Sequence, residues 1–140
     1  GGRAGFLALN LAWRSEAYLM ARRVDEALVL GDRALELSRQ HKEPGHGALV
    51  LKLRGDIALR QTAFQFEHAE AHYRDALSLA NDMAMRPLQA HCHAGLAQVY
   101  AAANDPSKTR QESSAARELY QTMALNGFLA TMESPANVVD

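Results

Sequence analysis

Apolar residues along this chain recur with the spacing of amphipathic helices. Between residues 69 and 80, small or apolar side chains stand three or four positions apart. The same spacing continues from residue 88 to residue 100, after a polar break. Side chains three and four residues apart share one face of a helix. The pattern therefore predicts two short helices joined by a tight turn, each with one apolar face.

Applied to the whole chain, the same spacing predicts an all-α fold. No stretch alternates apolar and polar residues as a half-buried strand would. Residues 41–47 contain Pro-Gly and a second glycine, which indicates a loop. Asn126 and Gly127 tolerate the left-handed conformation that ends helices, so the sixth helix should stop there. We expect helices over residues 5–22, 25–40, 48–60, 68–81, 87–103, 106–125 and 128–132.

The predicted helices form a repeating unit. Residues 27–37 recur as residues 69–79, a shift of 42, and residues 83–88 recur as residues 123–128, a shift of 40. Ser15 recurs as Gly55 and Ala97, and small residues at such positions let two antiparallel helices approach closely. A helix pair of this kind cannot bury its apolar face alone, so units should stack.

We predict one repeat domain over residues 1–133. Its boundaries are units at about 5–41, 47–82 and 87–125, a capping helix at 127–133 and a frayed tail at 134–140.

The second helix of the middle unit carries Ala69, Tyr73 and Ala76. This Ala-x3-aromatic-x2-Ala pattern resembles the tetratricopeptide repeat, although its usual unit is shorter, at ~34 residues. Residues 69–80 and 85–97 are more specifically similar to the C-terminal repeat region of large bacterial signalling proteins. Those proteins join a cyclase, kinase or DNA-binding module to a nucleotide-binding ATPase module.

The resemblance covers roughly residues 8–130, and this chain departs from the repeat pattern at several positions. Arg14 and Arg54 stand where leucine is usual, Gly31 and Ser113 replace the aromatic residue, and Thr109 replaces an alanine.

The resemblance implies a right-handed α-solenoid whose first helices line a concave groove. Some members of the repeat family clamp a peptide's terminal carboxylate with Lys and Asn. Here only Lys52 is basic, and Glu16, Asp56 and Gln98 occupy the Asn positions, which argues against that ligand. An amphipathic helix or a basic and apolar surface of a neighbouring domain fits better. The implied groove residues are Leu9, Ala12, Glu16, Leu19, Leu49, Lys52, Asp56, Leu59, His91, Ala94, Gln98 and Ala101.

Composition narrows the function classes. The net charge is −1, whereas nucleic-acid binders usually carry a basic excess. The single cysteine, Cys92, excludes an internal disulfide and favours a reducing, cytoplasmic location. No segment has the length and apolarity of a membrane span. The chain begins Gly-Gly without an initiator Met, so we expect it to be part of a longer protein.

Two histidine clusters are candidate metal or catalytic sites. His68 and His72 stand four apart, but the sequence lacks the glutamate position of the His-Glu-x-x-His zinc proteases. His91, Cys92 and His93 are consecutive and diverge around a helix, so they cannot converge on one ion. We therefore expect no catalytic, metal or cofactor site.

Three hypotheses for function remain open at this point. The first is a non-catalytic protein-interaction module of a bacterial signalling protein, whose parent protein may itself be an enzyme. The second is homodimerisation through the open N-terminal end, where Trp13 would be exposed. The third is a helical enzyme or metal protein built on the histidines. The groove could also be merely solvated and hold no partner.

Overall fold

The computed structural model describes residues 2–61 and 65–133, with side chains from residue 6 onward. Every regular element in these ranges is an α-helix, which confirms the predicted all-α class. The predicted tail at 134–140 lies outside the described residues. The helices are α1 Gly2–Met20, α2 Val24–Gln40, α3 Pro44–Arg60, α4 Phe66–Asp82, α5 Arg86–Ala102 and α6 Pro106–Glu133.

The predicted apolar faces are the buried faces of the helices. In α4 the buried residues have the helical spacing noted in the sequence, and in α5 they include Leu88, Cys92, Leu96 and Val99. Ser15 Oγ donates a hydrogen bond of 2.6 Å to the backbone carbonyl of Ala27. Small residues therefore do allow α1 and α2 to approach closely.

Four of the five connections between helices close with the same backbone motif. At the α4–α5 turn, Ala84 adopts a left-handed φ of 52°. Its N–H donates to the carbonyl of Asn81 at 3.2 Å, and the next N–H, of Met85, donates to Ala80 at 2.8 Å. This pair of hydrogen bonds is the Schellman motif. The left-handed residues at the other three turns are Arg22, Lys42 and Asn104.

The helices pack as three stacked hairpins, which is a repeat-like arrangement. The pairs α1–α2, α3–α4 and α5–α6 form the hairpins, while α2 contacts α3 and α4 contacts α5. The first helices also contact each other, α1 with α3 and α3 with α5. Within the described residues, the backbones of α2, α4 and α6 stay farther from one another. The stack therefore curves, with α1, α3 and α5 on its inner side.

The predicted capping helix is wrong, because α6 continues without a break to Glu133. Gly127 lies inside this helix and does not adopt a positive φ. A glycine costs a helix about 1 kcal/mol relative to alanine, which is too little to end it without a left-handed residue or a proline. The α3 prediction also began too late: Pro44 opens that helix, since proline fits the first helical turn.

Two departures from the repeat pattern compensate for one another. Gly31 replaces the aromatic residue in α2, and a Cβ there would lie 3.2 Å from Ile57 and 3.3 Å from Arg54. The missing side chain thus makes room for the long Arg54, whose Nε lies 2.9 Å from Asp32 Oδ1. Asp32 thus pairs the charge of Arg54, while Arg54 Nη1 is buried without a hydrogen-bond partner among the described residues.

Candidate functional site

The inner side of the stack forms a groove, which we define as the surface of α1, α3 and α5 that faces away from the second helices. One part of the groove is a cavity of about 240 Å³ between α1, α3 and the start of α5. A second depression, of about 450 Å³, continues towards the ends of α3 and α5 and shares Lys52 and Asp56 with the first. A continuous channel therefore crosses all three hairpins.

Most of the residues predicted for the groove line it. The first cavity is bordered by Leu9, Ala12, Glu16, Leu49, Lys52, Asp56 and His91. The second is bordered by Lys52, Asp56, Leu59 and Gln98, and a further depression towards α6 is bordered by Ala94 and Gln98. Ala101 is exposed at the edge of another cavity, beside the α5–α6 turn.

Leu19 is an exception, because its side chain is only 4% exposed and belongs to the core. Because this burial leaves no part of its side chain for a partner in the groove, the prediction that Leu19 lines the groove is wrong. Trp13, assigned from the sequence to a dimer surface, also borders the first cavity.

A buried tyrosine of α4 packs against both α3 and α5, two of the helices that line the groove. Tyr73 of α4 is fully buried, and its ring lies against Gly55 of α3 and Gly95 of α5. A Cβ would lie 2.8 Å from the ring at Gly55 and 2.4 Å from it at Gly95. Such distances are far inside van der Waals contact, so only glycine fits at both positions. One side chain therefore fixes α3 against α5.

The Tyr73 hydroxyl reaches the groove and organises its charges. It donates a hydrogen bond to Asp56 Oδ1, and Asp56 Oδ2 lies 2.7 Å from Lys52 Nζ. Burial and the neighbouring Asp56 carboxylate raise the pKa of Tyr73, so the phenol stays protonated and keeps donating. The lysine and aspartate thus neutralise each other at the centre of the groove.

One carboxylate in the groove is left without a partner. Among the described residues, Glu16 is exposed and forms no ion pair. Trp13 stands three residues before it on α1 and is 54% exposed. A carboxylate beside an indole face attracts a lysine or arginine by charge and by cation–π attraction. Because Lys52 and Asp56 cancel, the charge that remains beside α1 is the negative Glu16, whereas the cation Arg60 borders the far end of the groove.

His91 closes one side of the first cavity. Burial and the nearby Lys52 ammonium lower the pKa of His91, so its imidazole is neutral at pH 7. The hydroxyl of Tyr120 in α6 and His91 Nδ1 share a hydrogen bond of 2.7 Å, and the two rings meet edge-on with centroids 5.7 Å apart. The contact orients His91 in the groove.

A network of polar side chains, which the sequence did not predict, links the third hairpin to α4. Glu112 of α6 is buried, and its two oxygens lie 2.6 Å from His93 Nδ1 and 3.1 Å from Arg74 Nη2. Arg74 also donates to Tyr100 at 2.7 Å, and Tyr100 donates to Glu70. These residues come from α4, α5 and α6, so no local sequence pattern connects them.

The other candidate chemistry does not assemble into a site. His68 is exposed and His72 half-buried, and in the described part of the chain no group of three His, Cys, Asp or Glu side chains could hold a metal ion. Burial raises the pKa of the Cys92 thiol to about 12, so it is not a ready nucleophile at neutral pH.

No helix in the described ranges is long and apolar enough to cross a membrane. No protein-family model matches the chain, and no curated protein or solved structure matches it significantly.

Proposed function

We propose that this chain is a tetratricopeptide-like, right-handed repeat domain that binds another polypeptide in its groove. In this proposal it acts as a non-catalytic interaction module of a cytoplasmic bacterial signalling protein. The observation that carries the binding proposal is the open channel along α1, α3 and α5, with a fixed charge pair at its centre. The repeat assignment is supported by the motif in α4 and by the stacking of the hairpins.

The groove's chemistry favours a partner segment with apolar side chains and one or two basic residues. Leu9 and Leu49 offer apolar contacts on either side of the channel. The free Glu16 carboxylate and the Trp13 ring can receive a lysine or arginine. An amphipathic helix, or a basic and apolar surface of a neighbouring domain, has both features.

The test uses a synthetic amphipathic helical peptide that carries leucines on one face and lysines beside them. Trp13 is the only tryptophan in the chain, so its emission reports binding of a tryptophan-free peptide directly. We expect the emission to shift to shorter wavelength on binding, because the peptide would cover the half-exposed indole. The measurement is made at about 1 μM protein, well below the millimolar range of weak self-association.

Two groove variants and one control sharpen this test. Leu49→Asp and Glu16→Lys should each weaken peptide binding by about tenfold or more, since they remove an apolar contact and the free carboxylate. Val29→Asp places the same charge as Leu49→Asp on a more exposed apolar site of α2, outside the groove, and should change nothing. Unchanged affinity in both groove variants, or equal affinity for a sequence-scrambled peptide, would contradict the proposal.

Self-association is a second candidate function, and one observation favours it. The exposed side of α1, next to the groove, carries three large apolar side chains, Phe6, Trp13 and Met20. Exposed apolar patches of this kind mark association surfaces.

A further inference from the structure

The exposed side of α1, next to the groove, carries a regular apolar stripe. Phe6, Trp13 and Met20 stand seven residues apart, so they share one side of the helix. They are 62%, 54% and 79% exposed, whereas Ser15 and Leu19, on the opposite side, are buried. No charged residue occurs between residues 4 and 13. We call this surface the α1 stripe.

The repeat accounts for the apolar Trp13 of the α1 stripe, whereas Phe6 and Met20 are equivalent to the polar His46 and Arg60. With the shift of 40 that relates Ser15 to Gly55, Trp13 is equivalent to Leu53 and Ala17 to Ile57 of α3. Both equivalents are buried, and Ile57 Cδ1 lies 3.2 Å from the Cβ position of Gly31 in α2. This side of α3 is thus covered by the second helix of the preceding hairpin. In the described part of the chain, nothing covers the corresponding side of α1.

The other end of the stack differs. The side of α4 that faces α5 carries Glu70 and Arg74, both bonded to Tyr100. With the shift of 40 between α4 and α6, the equivalent side of α6 carries Arg110 and Ser114, which are exposed. This side is polar in both helices: α5 covers it in α4, and it is exposed in α6.

Beyond the hairpin, α6 becomes apolar. It has 28 residues against 17 in α5, so its last 11 residues extend roughly 16 Å past its partner. Leu125, Phe128, Leu129 and Met132 are exposed there with the spacing of a helical seam. Residues 119–132 contain no charge. We call this surface the α6 stripe.

We propose that the α6 stripe of one copy packs on the α1 stripe of a second copy. This inference deepens the self-association proposed above and commits it to a head-to-tail contact. Throughout the stack, an apolar first helix is covered by a second helix of another hairpin, as α3 is by α2 and α5 by α4. The α6 stripe belongs to a second helix and is free of charge, as are residues 4–13 of α1.

The contact should be weak. Each stripe offers three or four half-exposed large side chains, and each of these contributes roughly 100 Å². The seven side chains together bury about 700 Å², which belongs to the weakest class of interfaces. We expect a dissociation constant between about 10 μM and 1 mM.

Sedimentation velocity on two single-end variants tests the contact. Phe6→Asp disables the α1 stripe and Phe128→Asp disables the α6 stripe, and neither residue lines the groove. The unaltered chain and the control Val29→Asp should associate with rising concentration. Each end variant alone should stay monomeric, with association weakened by about tenfold or more. An equimolar mixture of the two should form a heterodimer and grow no further, since one intact α6 stripe meets one intact α1 stripe.

Circular dichroism first checks that both variants keep the helix content of the unaltered chain. A strictly monomeric unaltered chain at about 1 mM would overturn self-association altogether. If Phe128→Asp still dimerises while Phe6→Asp does not, two α1 stripes pair with each other and the head-to-tail contact is wrong. A mixture of the two variants that remains monomeric would also overturn it.

Discussion

Replacing Gly95 with alanine should destabilise the protein, although alanine is the better helix former. The new Cβ would lie 2.4 Å from Cε1 and Cζ of Tyr73, more than 1 Å inside the contact distance of roughly 3.5 Å. The ring cannot move aside, because it is fully buried, lies against Gly55 and is held through its hydroxyl by Asp56. Steric overlap in a packed core costs about 1–3 kcal/mol. An overlap of this size belongs at the upper end of that range.

The higher helix propensity of alanine offsets about 1 kcal/mol of this steric cost, so the unfolding free energy should fall by about 1–2 kcal/mol. Urea unfolding followed by circular dichroism measures it. Gly127→Ala is the matched control, since a Cβ at that helical glycine meets nothing within 4 Å. We expect this control to keep or raise the unfolding midpoint.

A double-mutant cycle isolates the contact with the tyrosine. Tyr73→Leu removes the Cε1 and Cζ atoms that the new methyl group would meet, so Gly95→Ala should cost at least about 1 kcal/mol less in that background. If Gly95→Ala raised the unfolding free energy of the otherwise unaltered chain, the packing of Tyr73 against α5 would be refuted.

Three further substitutions have predictable effects on stability. Ala84→Gly should raise the thermal midpoint by about 2–3 °C, since glycine relieves the left-handed backbone at that turn. Burial and the Arg54 charge lower the pKa of His72, so its favourable contribution is present above pH 6.5 and is lost as pH falls through the lowered value. His72→Gln should therefore lose less unfolding free energy than the unaltered chain between about pH 7.5 and pH 5. Glu112→Gln should cost about 1–3 kcal/mol in urea unfolding, because the Arg74 guanidinium loses its buried carboxylate partner.

Helical spacing was enough to predict which faces are buried, because burial in a helix follows a short period. The sequence also identified Gly55 as a position that must be small. It did not identify Gly95, since that requirement comes from Tyr73, which reaches across from another helix. Contacts between helices distant in sequence leave no periodic signal in either of them.

The turns show a different limit of sequence reasoning. Three of the four left-handed residues are Arg22, Lys42 and Ala84, which have no preference for that conformation. The stacking of the hairpins imposes it. Conversely, Gly127 signals a helix end that does not occur, and α6 continues through it to Glu133 without a positive φ at this glycine. The conformational preference of a single residue therefore does not by itself determine where these helices end.

The sequence predicts the groove residues whose positions follow from the register of the inner helices. It does not predict the contacts that other helices make with those residues. Leu9, Glu16, Leu49 and Lys52 line it because they share the inner side of α1 and α3. The roles of Tyr73 and Tyr120, which orient Asp56 and His91, come from α4 and α6 and could not be read from the inner helices.

The most direct test of the stacked arrangement is a nuclear Overhauser measurement on isotope-labelled protein. The ring protons of Tyr73 should give strong cross-peaks to the Hα protons of both Gly55 and Gly95, since the ring lies against both backbones. Cross-peaks to both glycines would place α3 and α5 side by side, as the groove requires. A Tyr73 ring with cross-peaks to Gly55 but none to Gly95 would contradict the stacking of the hairpins and the groove with it.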